Sequence, residues 1–220
     1  MRDCFVRAFD DALVVKGLKS GGEPSRERPA KNITFRRCVV WCDWGRAMEI
    51  GAETCAPEIA GVLFQDCDIV RTTHIGMDIQ HGDRAAIHDI RFENVRFETD
   101  GHDSQPRMQT SREEKYPTAP GDGYLPKLME IVIYKTPYSN DSDRGTVRDV
   151  IFRDIAVTGP QMPPSSFRGF DAEHGVEGVT IANLRWNGQA VSNASEARLE
   201  VGPHVRPVQF MRADAPAKER

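Results

Sequence analysis

Two adjacent carboxylates near the N-terminus, Asp10 and Asp11, are the residues whose types and spacing most directly suggest chemistry. Inverting hydrolysis of a glycosidic bond uses one carboxylic acid to protonate the leaving oxygen and one carboxylate to activate a water, held about 6.5–9.5 Å apart. Burial or a nearby like charge keeps the proton on the acid. Consecutive residues in a strand point to opposite faces. The side chains of Asp10 and Asp11 can therefore face the same cleft only if the chain bends at this point. The alternative is that one aspartate simply closes a turn.

A second set of carboxylates comes from four short segments that align with one another, at 12–16, 47–51, 76–80 and 129–133. The alignment places Glu49, Asp78 and Glu130 in one column that faces outward between inward apolar residues. Like charges on neighbouring strands repel each other, so such a column is typical of a cation site, a substrate site or acid–base work, or it is screened by cations such as Arg46. A solvated acidic face is the alternative. No calcium-loop motif accompanies the column, so neither a metal nor a cofactor is predicted.

Two further residues are expected near the same end of the cleft. His81 follows the third aligned segment and is a candidate for substrate contact, although a single histidine is more often a surface or satisfied residue. Trp44 lies on the loop that leads into the second segment. Its ring could stack on a sugar, or it could pack over the end of the strands.

The elements that position these residues come from a repeat of about 29 residues. Its five copies begin at Ile33, Val62, Ile90, Val150 and Val179, with separations of 29, 28, 60 and 29 residues. The longest separation equals two periods and contains a polar insertion at about 101–124. Apolar and polar residues alternate within each copy, which together with the fixed period is typical of a solenoid.

Several short strands fit within each period, and no convincing helical periodicity accompanies them. We therefore predict an all-β fold, a right-handed parallel β-helix (a solenoid) of about six coils stacked at about 4.8 Å. A single domain is expected over residues 1–213, with a disordered tail at 214–220. The step between the phenylalanine and cysteine columns of each copy is three residues rather than two, which predicts a bend there.

Composition excludes several classes of function. The net charge of −4 and the pI of about 5.9 show no basic footprint for nucleic acid. No apolar stretch approaches the length of a membrane span. The N-terminus also lacks the apolar core of a secretory signal peptide. Neither nucleic acid nor a membrane is therefore predicted as a partner.

The alignment of the repeats also places Cys4 in the same column as Cys38 and Cys67. The favoured interpretation is a stack of buried free thiols that act as small hydrophobic side chains, and a disulfide between neighbours is the alternative. With Cys4 in this column, the chain is expected to start partway through a coil, with N-terminal coils missing. An uncapped solenoid end exposes unpaired backbone groups, so end-to-end self-association through this end is one expectation.

Two parts of the chain resemble the second half of glycoside hydrolase family 28, the polygalacturonase-like right-handed β-helices of the pectin lyase type. They are DCFVRAFDDALVVKG with NITFRRCVVWCDWGRAMEIG, and YSNDSDRGTVRDVIFRDIAVTG with SFRGFDAEHGVEGVTIANLRWNG. The resemblance implies inverting hydrolysis of O-glycosidic bonds in a polysaccharide or oligosaccharide, with Asp10 as proton donor and Asp11 as a partner in activating water. Members of that family are usually secreted or periplasmic.

The chain departs from the family pattern at three places. The third family aspartate would lie about twenty residues before the pair, where this chain has no residues. Arg46 replaces the family histidine, and Asp78-Ile79-Gln80 replaces the basic motif that holds a uronate carboxylate. These departures favour a neutral sugar, as does a weaker resemblance to the dextranase and isopullulanase family. The predicted substrate contacts are Arg46, Glu49, Asp78, His81 and Trp44.

Three alternatives to an active hydrolase follow from the same residues. The first is a family member that is inactive as a truncated chain. The second is a noncatalytic β-helix or glycan-binding module that keeps the scaffold. The third is a polysaccharide lyase, a chemistry that needs a lysine or arginine base and usually calcium.

Overall fold

The computed structural model describes residues 1–101 and 124–212. The predicted polar insertion, apart from its two end residues, and the predicted disordered tail therefore lie outside the described residues. The described residues contain no helix long and apolar enough to cross a membrane.

The described residues form strands joined by turns and loops. In chain order the strands are β1 (Phe5–Ala8), β2 (Leu13–Val15), β3 (Ala30–Arg36), β4 (Val39–Cys42), β5 (Arg46–Ala52), β6 (Glu58–Arg71), β7 (Ile75–His81), β8 (Ala86–Glu98), β9 (Lys127–Ile133), β10 (Thr146–Thr158), β11 (Ser165–Arg168), β12 (Val176–Trp186), β13 (Gln189–Val191), β14 (Leu199–Val201) and β15 (Gln209–Met211).

These strands form two sheets that share one hydrophobic core. The larger sheet has nine strands in the order β1-β4-β6-β8-β10-β12-β13, with β3 also paired to β6 and β15 also paired to β12. The smaller sheet has six strands in the order β14-β11-β9-β7-β5-β2. Most neighbours run parallel, whereas β13 runs antiparallel to β12. Buried residues of both sheets belong to the same apolar cluster.

The prediction of a right-handed parallel β-helix with about six coils is wrong. The described chain forms one mixed and one parallel sheet of unequal size rather than a single regular solenoid. Strands β3 and β4 share the partner β6, and strands β13 and β15 share the partner β12. The repeat misled the prediction because a period with internal alternation specifies which residues are inward and which strands can pair. It does not specify how those strands are divided between sheets.

The predicted register between repeats is nevertheless confirmed. Phe35 pairs with Phe64, Phe64 with Phe92, and Phe92 with Phe152. Their rings stack with centroid separations of 4.9, 4.9 and 5.0 Å. Offset or parallel ring contacts of this kind add to the stabilisation from burial. The stack therefore holds the repeats of the larger sheet in one register, and the smaller sheet packs on the same core.

The three-residue step within each repeat is produced by one residue in the left-handed conformation. These residues have φ between 51° and 57° and are Arg37, Asp66, Asn94, Asp154 and Asn183. Aspartate and asparagine tolerate this conformation better than most residues. The predicted bend is thus a single-residue kink, and it allows the apolar residues on both of its sides to face the core.

The cysteine column is also observed. Cys38 and Cys67 are fully buried and Cys4 is partly buried. All five cysteines of the chain are free, so the interpretation as buried thiols is confirmed and the disulfide alternative is wrong.

Candidate functional site

The acidic column lies on strands β5, β7 and β9 of the six-stranded sheet. The register pairs Glu49 with Asp78 and Asp78 with Glu130, as predicted. Glu49 is 1% exposed and Asp78 is fully buried, while the Glu130 side chain is 14% exposed. The alternative of a solvated acidic face is therefore wrong, because two of the three carboxylates are shielded from water.

Arg46, at the start of β5, lies among these carboxylates. Its Nε donates to Asp78 Oδ2 at 3.1 Å and lies 3.9 Å from Glu49 Oε1. Its Nη1 lies 3.7 Å from Asp11 Oδ1. The guanidinium is itself only 14% exposed. A buried charge needs compensating partners, and here one cation compensates three carboxyl groups.

Asp11 joins this group, and Asp10 lies at its exposed edge. The backbone N–H of Arg46 donates to Asp11 Oδ1 at 3.2 Å, and the backbone N–H of Ala12 donates to the Arg46 carbonyl at 2.9 Å. Asp10 is exposed and sits in a bend between β1 and β2, which provides the bend that the sequence argument requires. A Cβ on Gly45 would lie 2.7 Å from Asp10 Oδ1, so glycine allows this close approach.

Burial and repulsion between carboxylates keep protons in the group. Burial raises the pKa of Glu49 to about 10, with further contributions from Asp78 and from a hydrogen bond with Asp11. Burial and the carboxylate of Glu130 raise the pKa of Asp78 well above its usual value, although Arg46 acts in the opposite direction. Glu49 Oε2 and Asp78 Oδ1 have no partner within the described protein. The group thus holds at least one proton at neutral pH.

Three further residues complete the surroundings. Burial lowers the pKa of His74 to about 4, with a second contribution from Arg46. Burial raises the pKa of Tyr134 to about 12. Lys127 pairs with Glu130, and its Nζ donates to Ser166 Oγ at 2.9 Å. Lys127 and Tyr134 flank β9, and only the pairing of β9 with β7 across the insertion brings them to the site.

The two tryptophans near the site have different surroundings. The guanidinium groups of Arg7 and Arg71 lie over the Trp41 ring, 5.5 and 5.8 Å from its centroid. Trp44 is half-buried and lies nearly parallel to Phe9, with an interplanar angle of 8° and a centroid separation of 6.3 Å. Phe9 is 68% exposed. Trp44 follows β4 and lies two residues before Arg46, and Phe9, its ring partner, was not predicted.

His81 does not join the group around Arg46. It is fully buried, and its Nδ1 shares a hydrogen bond of 2.7 Å with Thr54 Oγ1. Burial lowers the pKa of His81 to about 3. Its place in the sequence, directly after the third aligned segment, indicated the correct strand, and His81 is the last residue of β7. The sequence did not show that this end of the strand is covered by neighbouring loops.

Next to His81, a second polar group contains Cys55, Asp83 and Asp141, whose ligand atoms lie within 4.8 Å of one another. Asp83 already accepts hydrogen bonds from the backbone N–H groups of Thr54, Asn140 and Asp141, at 2.9, 2.5 and 2.8 Å. Both oxygens of Asp141 accept from arginines, namely Arg26 and Arg84. The partners of these carboxylates favour a structural role in joining loops over metal binding.

The raised pKa of Glu49 predicts a measurable dependence of stability on pH. The folded protein keeps a proton on Glu49 that the unfolded chain releases near its ordinary pKa of 4.5. The contribution is therefore fully present below pH 4.5 and is lost progressively as the pH rises towards 10. We expect the free energy of unfolding to fall with pH between 5 and 9, and Glu49→Gln to flatten the slope by up to about 1.4 kcal/mol per pH unit.

Urea denaturation at several pH values measures this slope, and Glu196→Gln is the matched control. Glu196 is exposed and its pKa is lowered by hydrogen bonds from Ser192, so its charge is the same in both states above pH 5. An unchanged slope in Glu49→Gln would show that Glu49 is ionised in the folded protein.

Comparison with known proteins gave no match, neither to a family model nor to a curated protein nor to a solved structure.

Proposed function

We propose that the protein hydrolyses O-glycosidic bonds of a polysaccharide or oligosaccharide at the group formed by Asp10, Asp11, Arg46 and Glu49. The observation that carries the proposal is the contact between partly exposed Asp11 and buried Glu49, whose pKa is raised to about 10. Inverting glycosidases use one carboxyl group as acid and a second as base; in this proposal Asp10 and Asp11 are that pair, and Glu49 holds Asp11 in place. The resemblance of the sequence to family 28 supports the same reaction class.

The exposure of each carboxyl group supports its role. Asp10 reaches solvent and donates a proton to the leaving oxygen as the glycosidic bond breaks. A water attacks the anomeric carbon from the opposite face and transfers a proton to Asp11. Exchange with solvent then returns both groups to their starting states. Glu49 is too deeply buried to touch the substrate, and it acts as a positioning residue through its hydrogen bond with Asp11.

The charges around the site support a neutral sugar unit. Arg46 is engaged by three carboxyl groups, Lys127 pairs with Glu130, and Lys16 pairs with Glu53 at 2.6 Å. Holding a uronate carboxylate would require a cation that is not already paired. A neutral glycan instead offers hydroxyl groups that can donate hydrogen bonds to the carboxylates.

The same contacts disfavour a lyase. Burial alone would lower the pKa of Arg46, but the neighbouring carboxyl groups of Asp78, Glu49 and Asp11 raise it above its ordinary value. An arginine in this state does not accept a proton from a sugar carbon. A lyase with Arg46 as base is therefore less well supported than a hydrolase.

The proposal predicts that Asp11→Asn lowers the rate of glycoside hydrolysis by at least about 100-fold, the lower range of a general acid–base contribution. Asp10→Asn is expected to have a similar effect. Release of reducing ends from a panel of neutral and acidic polysaccharides measures the rate. Asp143→Asn is the control, because Asp143 is exposed and its Oδ1 accepts a hydrogen bond from the nearby Ser142 Oγ at 3.3 Å, away from the acidic group.

Two results would contradict the hydrolase. One is a folded wild-type protein that releases no reducing ends from any member of the panel. The other is an Asp11→Asn variant that hydrolyses as fast as the wild type. Binding of glycans without turnover would instead favour the noncatalytic glycan-binding alternative.

A further inference from the structure

Phe9 and Trp44 form an aromatic surface directly beside the acidic group, and we call this pair the aromatic shelf. Phe9 immediately precedes Asp10, and Trp44 lies two residues before Arg46. The pairing of β1 with β4 brings the two loops together, since Ala8 is opposite Cys42. The shelf and the acidic group are thus positioned by the same two connections, the one between β1 and β2 and the one between β4 and β5.

The shelf presents one exposed aromatic ring to solvent. Phe9 stacks on Trp44, with an interplanar angle of 8° and centroids 6.3 Å apart. Phe9 is 68% exposed although it is a large apolar side chain. Exposed apolar surface next to polar groups marks binding sites more often than unrelated surface, and Phe9 directly precedes the exposed Asp10.

Trp41 shows by contrast how this protein covers an aromatic ring that is part of its structure. Two guanidinium groups lie over its ring, and its indole N–H donates to Asp43 Oδ1 at 2.8 Å. Arg7, one of the two, is in turn held by Asp43 at 2.9 Å. Phe9 differs from Trp41 in that most of its surface is exposed to solvent.

We propose that the aromatic shelf binds the apolar face of a pyranose ring in a neutral glycan, one unit along the chain from the bond placed at Asp10. A pyranose has one face of C–H groups, which pack on an aromatic ring, and equatorial hydroxyls, which can donate to Asp10 at the rim. A uronate at this position would meet the negative charge of Asp11, the proposed base. The inference deepens the proposed hydrolase and rests on it for the position of the scissile bond.

Binding of neutral oligosaccharides to the whole protein tests the shelf, with oligogalacturonates of equal length as the charged comparison. Isothermal titration gives the dissociation constant, and the part of the change in intrinsic tryptophan fluorescence that is lost in Trp44→Phe reports on Trp44, one of three tryptophans in the chain. Phe9→Ala is expected to weaken binding of the neutral series by about 3- to 10-fold, as for loss of one aromatic contact. Phe9→Tyr is expected to keep the wild-type affinity, because it keeps the ring.

Phe170→Ala is the matched control. Phe170 is also a highly exposed phenylalanine, at 47%, but its ring contacts His174 instead of the acidic group. Equal affinity in wild type, Phe9→Ala and Phe170→Ala would overturn the shelf, as would absence of binding to every neutral oligosaccharide. Trp44→Phe is the second variant if Phe9→Ala does not fold, and it is expected to bind while losing the fluorescence response.

Measuring hydrolysis in the same samples separates the two proposals. Binding that depends on Phe9 without release of reducing ends supports the shelf and contradicts the hydrolase. Hydrolysis with a KM that is unchanged in Phe9→Ala contradicts the shelf and leaves the hydrolase standing. A raised KM with kcat retained in Phe9→Ala supports both.

Discussion

Arg46→Met is expected to destabilise the protein by about 3–5 kcal/mol at pH 8, the usual cost of removing one partner from a buried ionic group. Methionine keeps most of the apolar stem and removes the charge. Asp78 then loses its contact at 3.1 Å, and Glu49 and Asp11 lose their nearby cation. The loss arises from carboxyl groups left buried without compensation.

The cost of Arg46→Met should depend on pH. Burial already raises the pKa values of Glu49 and Asp78, and removal of the cation raises them further. Glu49 already holds its proton at both pH values, so the recovery depends on Asp78, which becomes neutral more easily near pH 5, and the variant is expected to recover part of its stability there. At pH 8 the same neutralisation is harder, so the difference from wild type is largest.

Urea denaturation at pH 5 and pH 8 measures both effects, and Arg96→Met is the matched control. Arg96 pairs with Asp68 through two of its nitrogens, but its side chain is 45% exposed. Exposed pairs of this kind contribute about 0–1 kcal/mol. A loss for Arg46→Met that is no larger than for Arg96→Met would show that the group around Arg46 is open to water. Adding Glu49→Gln and Asp78→Asn to Arg46→Met should restore stability at pH 8.

Asp83→Ala is expected to cost about 3 kcal/mol or more. Asp83 is fully buried and accepts from three backbone N–H groups, those of Thr54, Asn140 and Asp141. Each buried donor left without an acceptor costs about 1–3 kcal/mol, which applies to the N–H groups of buried Thr54 and Asp141, whereas Asn140 is exposed and water can reach its N–H. The loss should also loosen the loop after β9, because two of the three donors lie in that loop.

Chemical denaturation measures the first effect, and amide hydrogen exchange of Asn140 and Asp141 measures the second. Asp68→Ala removes an aspartate whose side chain is 29% exposed and paired, and it should cost no more than about 1 kcal/mol. Slow exchange at Asn140 in Asp83→Ala would contradict the assigned role of Asp83, because it would mean that the N–H keeps a partner without the carboxylate.

Much of the site could be predicted because strand register follows from alternation. The apolar neighbours of Glu49, Asp78 and Glu130 must face the core, so the three carboxylates must share the opposite face in one column. The same reasoning aligned the phenylalanines and placed a bend at each three-residue step. These features depend on local patterns that repeat at a fixed period, and such patterns can be read directly from the amino-acid sequence.

Other parts of the site could not be predicted from local patterns. Several features of the site depend on how loops cover the ends of the strands. They are the burial of Asp78, the separation of His81 from the acidic group and the position of Tyr134 near Arg46. Those contacts join residues separated by tens of positions, with no period to align them. The pairing of Phe9 with Trp44 was missed because the two residues lie in loops outside the aligned segments.

The repeat, the inward residues, the register between strands and the column of carboxylates follow from local sequence patterns, because side chains alternate strictly along a strand. The division of the strands into a nine-stranded mixed sheet and a six-stranded sheet depends on tertiary contacts. So do the burial of the carboxylates around Arg46 and the stacking of Phe9 on Trp44. Burial, and with it protonation, is a property of what covers a residue, and for these residues the cover comes from distant parts of the chain.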